Sequence, residues 1–454
     1  MQTGLNRTRQ ERNDNRSGRT RQRRNGNSDG GTRPGRSRND GYSVSRGNSR
    51  RSSPGQFRFG TGTRKNHNRK KASVDPFPVD LSVPGSIYSA DRRSARKKFL
   101  YALLALFLLV FIYLSFRTTK IAFLPPWQTV ANLFTCLKLN LAGMFHMNYY
   151  ESRRAVIEAH PAYLETTTRL SGVVSIVAMG AAMSVAGVVF QSVFRNPIAV
   201  PTMLGVSSGI NIANFILVMQ FSLLAVTKTS LRFIYGYIGS LSILFLVIGV
   251  SRLTSKNGSW SVVDVLLIGT TLTRVLTQIL SSIQNAYMDD AALQTLSEMN
   301  MYGTGIGNAR GWIFLALALL FGMFPVLLMR NSLNVVTFTE EESKTMGLNA
   351  NVLRVLALIF STILIVAAQI YCGDVGMLAL LVPHACRYLF GSNTRDLIFS
   401  SIIVGGIMMI LCRFIVALTM FNQYLSVISV GMIINVISIP LMIFILFTQR
   451  RGWE

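Results

Sequence analysis

Acidic residues are scarce in this sequence: 20 Asp and Glu stand against 46 Lys and Arg in 454 residues, for a formal net charge of +26 at pH 7. An ion-coupled transporter would be expected to use membrane-embedded carboxylates, and Asp264, near a helix end, is the only obvious acid inside an apolar run. There are only four cysteines, Cys136, Cys372, Cys386 and Cys412, and none forms a C-x-x-C pair. Neither a disulfide framework nor a metal knuckle is indicated. The histidines His67, His146, His160 and His384 are equally dispersed, so no metal site and no cofactor are expected. A G-x-x-x-x-G-K-[ST] loop is missing, so any ATP hydrolysis is expected in another subunit and the chain is not expected to be an enzyme. No short apolar stretch with a small-residue cleavage site precedes the first long apolar run, which argues against a secretory signal peptide.

What is present divides into two unlike regions. Half of the residues are hydrophobic and 15% are charged, an unusual pairing with so large a net charge. Residues 1 to 98 hold 25 of the basic and 7 of the acidic residues, a net of +18, which leaves +8 on the apolar remainder. The first 90 or so residues are rich in Arg, Asn, Gly and Ser, with almost no aliphatic residue before Val44. Such a segment cannot bury enough apolar surface to offset its ordering entropy, so residues 1–98 are read as a disordered cytoplasmic tail. Arginine-rich tails attract RNA and anionic lipid. Stacking aromatics are nearly absent, which favours a solvated tail over a nucleic-acid module. A membrane-anchored RNA- or lipid-binding protein acting through the tail is one rival reading; an ion-coupled secondary transporter is the other.

From residue 99 the chain is dominated by long apolar runs. A hydrocarbon core about 30 Å thick needs about 20 apolar residues as helix. Phe99 to Phe116 qualifies, directly after Arg92, Arg93, Arg96, Lys97 and Lys98. Further runs cover Leu170 to Phe194, Thr202 to Val226, Leu231 to Val250, Val262 to Ala286 and Trp312 to Met329. The last four are Val352 to Tyr371, Val375 to Phe390, Leu397 to Leu418 and Tyr424 to Phe447. The expected architecture is an all-α polytopic bundle of ten spans over residues 99–447, followed by a short cytoplasmic tail, 448–454. By the positive-inside rule the basic cluster places both termini in the cytoplasm. The loops support this: Arg195, Arg252, Lys256, Arg330, Lys344, Arg354, Arg387, Arg395, Arg450 and Arg451 fall inside, and Asp289, Asp290, Glu298 and Asp374 outside. Lys228 and Arg232, in an outer turn, are the exception. Residues 117–168, with Pro125, Pro126 and Trp127, are read as an outer segment with short interfacial helices.

The second span carries Gly180, Ala181, Ala182, Ser184, Ala186 and Gly187, small residues that let helix backbones approach in lipid. It runs into Gln191-Ser-Val-Phe-Arg195-Asn196-Pro197-Ile-Ala-Val-Pro201-Thr-Met-Leu-Gly205-Val-Ser-Ser-Gly209. Two prolines four residues apart interrupt helical bonding there. Irregular backbone at a membrane boundary lines a cavity or is buried in protein; an ordinary Pro/Gly turn is the alternative. This stretch resembles the signature of FecCD-type permeases of iron-siderophore, haem and cobalamin ABC importers, with Val200 in place of the family's Asp. Leu266 to Gly269, Met301 to Trp312, Leu333 to Leu348 and Gly373 to Arg387 resemble further blocks of that family in order, the last including Pro383 and His384.

The resemblance implies a bundle like the cobalamin-importer permease, working by alternating access beside a second permease subunit, homo- or heterodimeric. It also implies two cytoplasmic ATPase subunits, an extracytoplasmic substrate-binding protein and an iron-chelate ligand. Gln191, Arg195, Asn196, Pro197, Pro201, Gly205, Pro383 and His384 are then candidates for the broken-helix region or translocation pathway. Thr339 with Glu342 forms a capping-box pattern, and a short polar helix from Glu340 through Glu341 and Glu342 would stop at Gly347 before Leu348. In the resembling family this loop meets the ATPases. Arg169 aligns with an arginine that docks the binding protein, although an interfacial anchor is the plainer reading. Arg274 lies twelve residues into its span from Val262, roughly 18 Å along a helix, where a charge is costly and suggests function. It joins the pathway candidates, with an interior structural role as the alternative.

Overall fold

The computed structural model describes residues 85–117, 122–144, 161–254, 262–304, 309–336, 340–345, 347, 349–391, 393–419 and 428–450. The expected tail up to residue 84, Lys256, Leu348, the start of the tenth span and residues 451–454 lie outside this set. Among the described residues the fold is helical apart from a two-residue hairpin. Helix α1 (Gly85–Ser115) begins before the first apolar run, so residues 85–98 continue it toward the N-terminus. Strands β1 (Phe116–Arg117) and β2 (Ala122–Phe123) pair antiparallel with Phe116 opposite Phe123. The segment expected to hold short interfacial helices contains one of 19 residues, α2 (Pro126–Met144), and Trp127, Val130, Phe134 and Leu137 form its exposed apolar stripe.

The transmembrane bundle follows. Helix α3 is Pro161–Val193, α4 Val206–Phe221, α5 Thr229–Thr254 and α6 Val262–Tyr287. A short α7 (Asp290–Tyr302) is capped by the Asp289 carboxylate, which accepts from Ala292 N at 2.9 Å. Next come α8 (Ala309–Ala318), a π turn at Leu319–Met323 and α9 (Phe324–Leu328). Then α10 (Ser332–Val336) and α11 (Glu340–Thr345) precede α12 (Ala350–Cys372), α13 (Leu378–Phe390), α14 (Thr394–Thr419) and α15 (Val430–Arg450). Among the described residues seven segments are long and apolar enough to cross a membrane, and three shorter apolar helices, Val206–Phe221, Leu378–Phe390 and Val430–Phe444, accompany them.

Two expected spans are interrupted. The run from Thr202 to Val226 is not one helix: a 3₁₀ turn at Pro201–Leu204 ends at Gly205, α4 starts afresh, and a second 3₁₀ turn covers Ser222–Thr227. Gly205 has φ +75° and so breaks the right-handed path. In the sixth span Pro325 cannot donate to the carbonyl four residues earlier, and the π turn sits immediately before it.

Helix α3 is the centre of the packing. Every residue from Met179 to Phe194 is buried, whereas Leu100, Leu103, Leu104, Phe107 and Leu108 on α1 are exposed, as suits a lipid-facing helix. The glycines of α3 account for its central position. A Cβ on Gly180 would overlap the Gly405 carbonyl of α14, and one on Gly187 would overlap the Ala379 carbonyl of α13. At the α4–α5 contact a Cβ on Gly209 would lie 2.5 Å from the backbone of Ser240, whose hydroxyl donates to Val206 O at 2.8 Å. Gly187→Val should therefore force α3 and α13 apart and cost about 1–3 kcal/mol or more. Thermal unfolding of the purified protein in detergent would record this as a lowered midpoint. Gly249→Ala, where no heavy atom lies within 4 Å of the new Cβ, should leave the midpoint unchanged or slightly raised.

Candidate functional site

The chain leaves α3 through a Schellman turn in which Arg195 occupies the position glycine usually takes. Arg195 has φ +47°, its N–H donates to Ser192 O at 3.3 Å, and Asn196 N donates to Gln191 O at 3.2 Å. Asn196 then builds the next turn. Its side-chain oxygen accepts from Ile198 N at 3.0 Å and its carbonyl from Ala199 N at 3.1 Å, with Pro197 between. Val200 is extended, Pro201 is buried at the start of the 3₁₀ turn, and Gly209 N to Gly205 O at 3.0 Å opens α4. The segment is irregular backbone held by these local bonds and packed against α6 through Gly269, where a Cβ would sit 2.6 Å from Met203 O.

Pro383 lies inside α13 and has no N–H for the Ala379 carbonyl, its i−4 acceptor. Gln191 supplies the missing donor: its Nε2 reaches Ala379 O at 3.4 Å across the gap that Gly187 leaves. Its Oε1 accepts from Arg387 Nη1 at the far end of α13. One buried amide thus ties the end of α3 to both ends of a proline-bearing helix. His384 is buried one position after the proline, and since a carbonyl can only accept, its Nδ1 donates to Leu380 O at 3.0 Å. The structure therefore brings Gln191, Pro383 and His384 into one cluster, with Arg195 to Pro201 just beyond it.

A cavity of about 330 Å³ opens where α4, α5, α7, α12 and α15 converge. Its walls include Ser207, Asn211, Asn214, Arg232, Asn300, Gln369, Asp374 and Asn435. Gln369 Nε2 donates to Ser207 Oγ at 2.8 Å, and Asn214 Nδ2 to Asn300 Oδ1 at 2.6 Å. Arg232, expected in an outer turn, lies inside α5 at 1% exposure, with Nε donating to Asn214 Oδ1 at 2.9 Å and Nη2 to the Met299 carbonyl. Its burial depends on partners 18 and 67 residues away in sequence, which no local pattern signals. The backbones at the cavity approach closely: Gly373 (φ +77°) leaves no room for a Cβ against Met301 O, nor does Gly431 against Asp374 O.

Arg274 is exposed on α6, one residue beyond Thr273, which lies near Gly205. At 100° per residue, Thr271, Arg274, Thr277, Gln278, Ser282 and Asn285 share one exposed polar face. Val275, Ile279 and Ile283 form an exposed apolar face beside it, and Val265, Gly269 and Leu280 pack inward.

The FecCD transport family model matches residues 105–448. The chain belongs to the FecCD transport family. This FecCD permease is a multi-pass membrane protein. It is 26% identical over 349 residues to the "Probable iron chelatin transport system permease protein" of Helicobacter pylori, covering 76% of this chain and 97% of that one. Identity to the iron-uptake system permease protein FeuB of Bacillus subtilis is 28% over 279 residues, 61% of this chain and 79% of the relative. To the hemin transport system permease protein HmuU of Yersinia pestis it is 28% over 287 residues, 62% and 83% respectively. Among solved structures, a metal-chelate type ABC transporter in an inward-facing conformation superposes with a TM-score of 0.60 at 20% identity. The match covers 78% of this chain and 99% of that one, and shows a shared fold.

In the FecCD permease the acidic segment is a short helix, α11. Glu342 is exposed, Ser343 is buried with its hydroxyl on Val335 O at 3.3 Å, and Gly347 has φ +75°, the left-handed stop expected of it. Glu340 and Glu341 open the helix. Arg169 donates to the carbonyls of Tyr113, at 3.2 Å, and Phe116, and its guanidinium lies 5.4 Å from the Tyr113 ring centroid. It thereby closes the end of α1 onto α3, an intramolecular role the sequence did not reveal.

Gln191→Leu should leave the Arg387 guanidinium and the Ala379 carbonyl short of partners and cost about 1.5–3 kcal/mol. Gln191→Glu, which keeps an acceptor for Arg387, should lose less. Unfolding midpoints with hydrogen exchange across α13 test this, and a Leu variant as protected as the parent would refute it.

Proposed function

We propose that this chain forms one membrane-spanning half of an ATP-driven importer of iron chelates. Its permease domain would comprise residues 99–447, preceded by a basic cytoplasmic tail and followed by a short cytoplasmic C-terminal tail. Family membership and relatives named for iron chelatin, iron uptake and hemin support the ligand class. The partners would be a second permease subunit, identical or homologous, two cytoplasmic ATPases and an extracytoplasmic binding protein. The α11 segment with Gly347 and Leu348 would receive the push of the ATPases. Arg169 would offer the binding protein a docking point only by sharing or giving up its bonds to the end of α1.

The observation that carries this reading is the face of α6. The hydroxyls of Thr277 and Ser282 bond back to carbonyls of their own helix, but the charge of Arg274 beside the amides of Gln278 and Asn285 cannot face hydrocarbon without large cost, while the adjacent Val275–Ile279–Ile283 face can. The polar face therefore belongs against water or a second subunit, and the pathway would run along it. The broken third span stands behind that wall, packed on Gly269. An arginine there would draw anionic ferric chelates inward.

Arg274→Gln should lower uptake per assembled complex roughly tenfold, while insertion, dimer assembly and basal ATPase activity stay near normal. The loss should shrink at high salt as screening removes the attraction that the parent enjoys. Unchanged normalised uptake in reconstituted vesicles would remove Arg274 from the pathway. Orientation has its own measurement. In a background free of Cys136, Cys372, Cys386 and Cys412, a cysteine at Thr345 should resist an external membrane-impermeant label and one at Ser297 should accept it. The reverse pattern would overturn cytoplasmic termini.

A further inference from the structure

The cavity beside α5 contains a cation that the fold leaves incompletely satisfied. Arg232 is 1% exposed, yet its Nη1 has no hydrogen-bond partner, and among the described residues no carboxylate stands within ion-pair distance of it. Nε and Nη2 are taken by two neutral oxygens, Asn214 Oδ1 and the Met299 carbonyl. A buried charge without a counter-ion costs several kcal/mol, and a carboxylate supplied from outside would offset that cost. Elsewhere in the bundle the buried polar groups described above bond to helix carbonyls or amides; here Arg232 is one of the residues that line an open space, with Nη1 held under its surface.

We propose that this cavity is a binding site for a carboxylate group, with Arg232 as its counter-ion. Guanidinium matches carboxylate in shape as well as charge. At about 330 Å³ the space is at the small end of ligand sites, so it admits a small acid or a single arm of a larger chelate. Neutral amides from Asn211, Gln369 and Asn435 line the rest and can bond to polar substituents. Asp374, whose carboxylate accepts from Gly376 N at 3.2 Å, also lines the cavity and disfavours a second negative charge on the guest. The site therefore selects a monoanionic carboxylate over a polyanion.

The test uses the assembled transporter in nanodiscs, titrated with sodium acetate against sodium chloride at constant ionic strength. Unfolding midpoint and saturation-transfer NMR of acetate are the readouts. Saturable acetate binding is expected, weakened at least tenfold by Arg232→Gln. Because the bonds of Arg232 hold α5 to α4 and α7, Asn211→Leu provides a second variant that narrows the cavity and leaves those bonds intact; it should weaken acetate equally. Absence of saturable binding in the parent, or undiminished binding in Asn211→Leu, would overturn the proposal. Only the source of the carboxylate rests on the importer reading. Acetate that competes with uptake of a transported ferric chelate assigns the site to an arm of the cargo, and acetate that binds without competing assigns it to a free small acid. Both uphold the site. Acetate binding in a complex that carries no chelate would leave the site standing and count against the importer instead.

Discussion

The bundle is organised by how closely two backbones can approach α3. Lipid provides no hydrophobic drive for helices to associate, so dispersion contacts and hydrogen bonds between near neighbours must hold them together. Gly180 and Gly187 remove the side chains that would keep α14 and α13 at the usual distance. That approach places the Ala379 carbonyl within reach of Gln191 and lets α13 accommodate Pro383 in its interior without leaving an acceptor unbonded. The proline, the glutamine and the glycine are one device distributed over nearly two hundred residues.

A second set of close approaches defines the polar cavity. Helices α7 and α12 end at glycines with positive φ, Gly303 and Gly373, and Gly431 opens α15 against the Asp374 backbone. Helix ends leave carbonyls without intrahelical partners. Met299 O, in the last turn of α7, is taken up by Arg232, and Ile370 O, near the end of α12, accepts from Thr304 N at 2.8 Å. The polar character of the cavity thus follows from the termination of helices inside the bundle.

Much of this was legible in the sequence, and for identifiable reasons. Apolar run length located the membrane helices, and the small-residue face of α3 pointed to tight packing. Gly347 was expected to stop a short helix and does have left-handed geometry. The prolines around Arg195-Asn196-Pro197 were read as interrupting the helix, with a cavity-lining segment and an ordinary turn both left open, and the continuation was read as one span because hydropathy averages over the 3₁₀ turn and Gly205. Position within a loop was a poor guide to Arg232, since burial is decided by Asn214 and Met299, which come together only when α4, α5 and α7 pack. Arg169 was similarly opaque: its acceptors, Tyr113 and Phe116, lie more than fifty residues upstream. The inward face of α6 could not be chosen from periodicity alone, because polar and apolar stripes sit side by side and only the contact through Gly269 and Leu280 fixes the rotation.

That rotation also has a consequence for the life of the newly made polypeptide. A single copy turning the Arg274 stripe outward is a poor solute for a bilayer, whatever the quality of its own core. Surplus copies would expose a recognisable polar flaw to membrane quality-control proteases, and pairing would conceal it. The cell's supply of this subunit would then be trimmed to the number of complete transporters, with stoichiometry enforced by degradation of the unpaired chain.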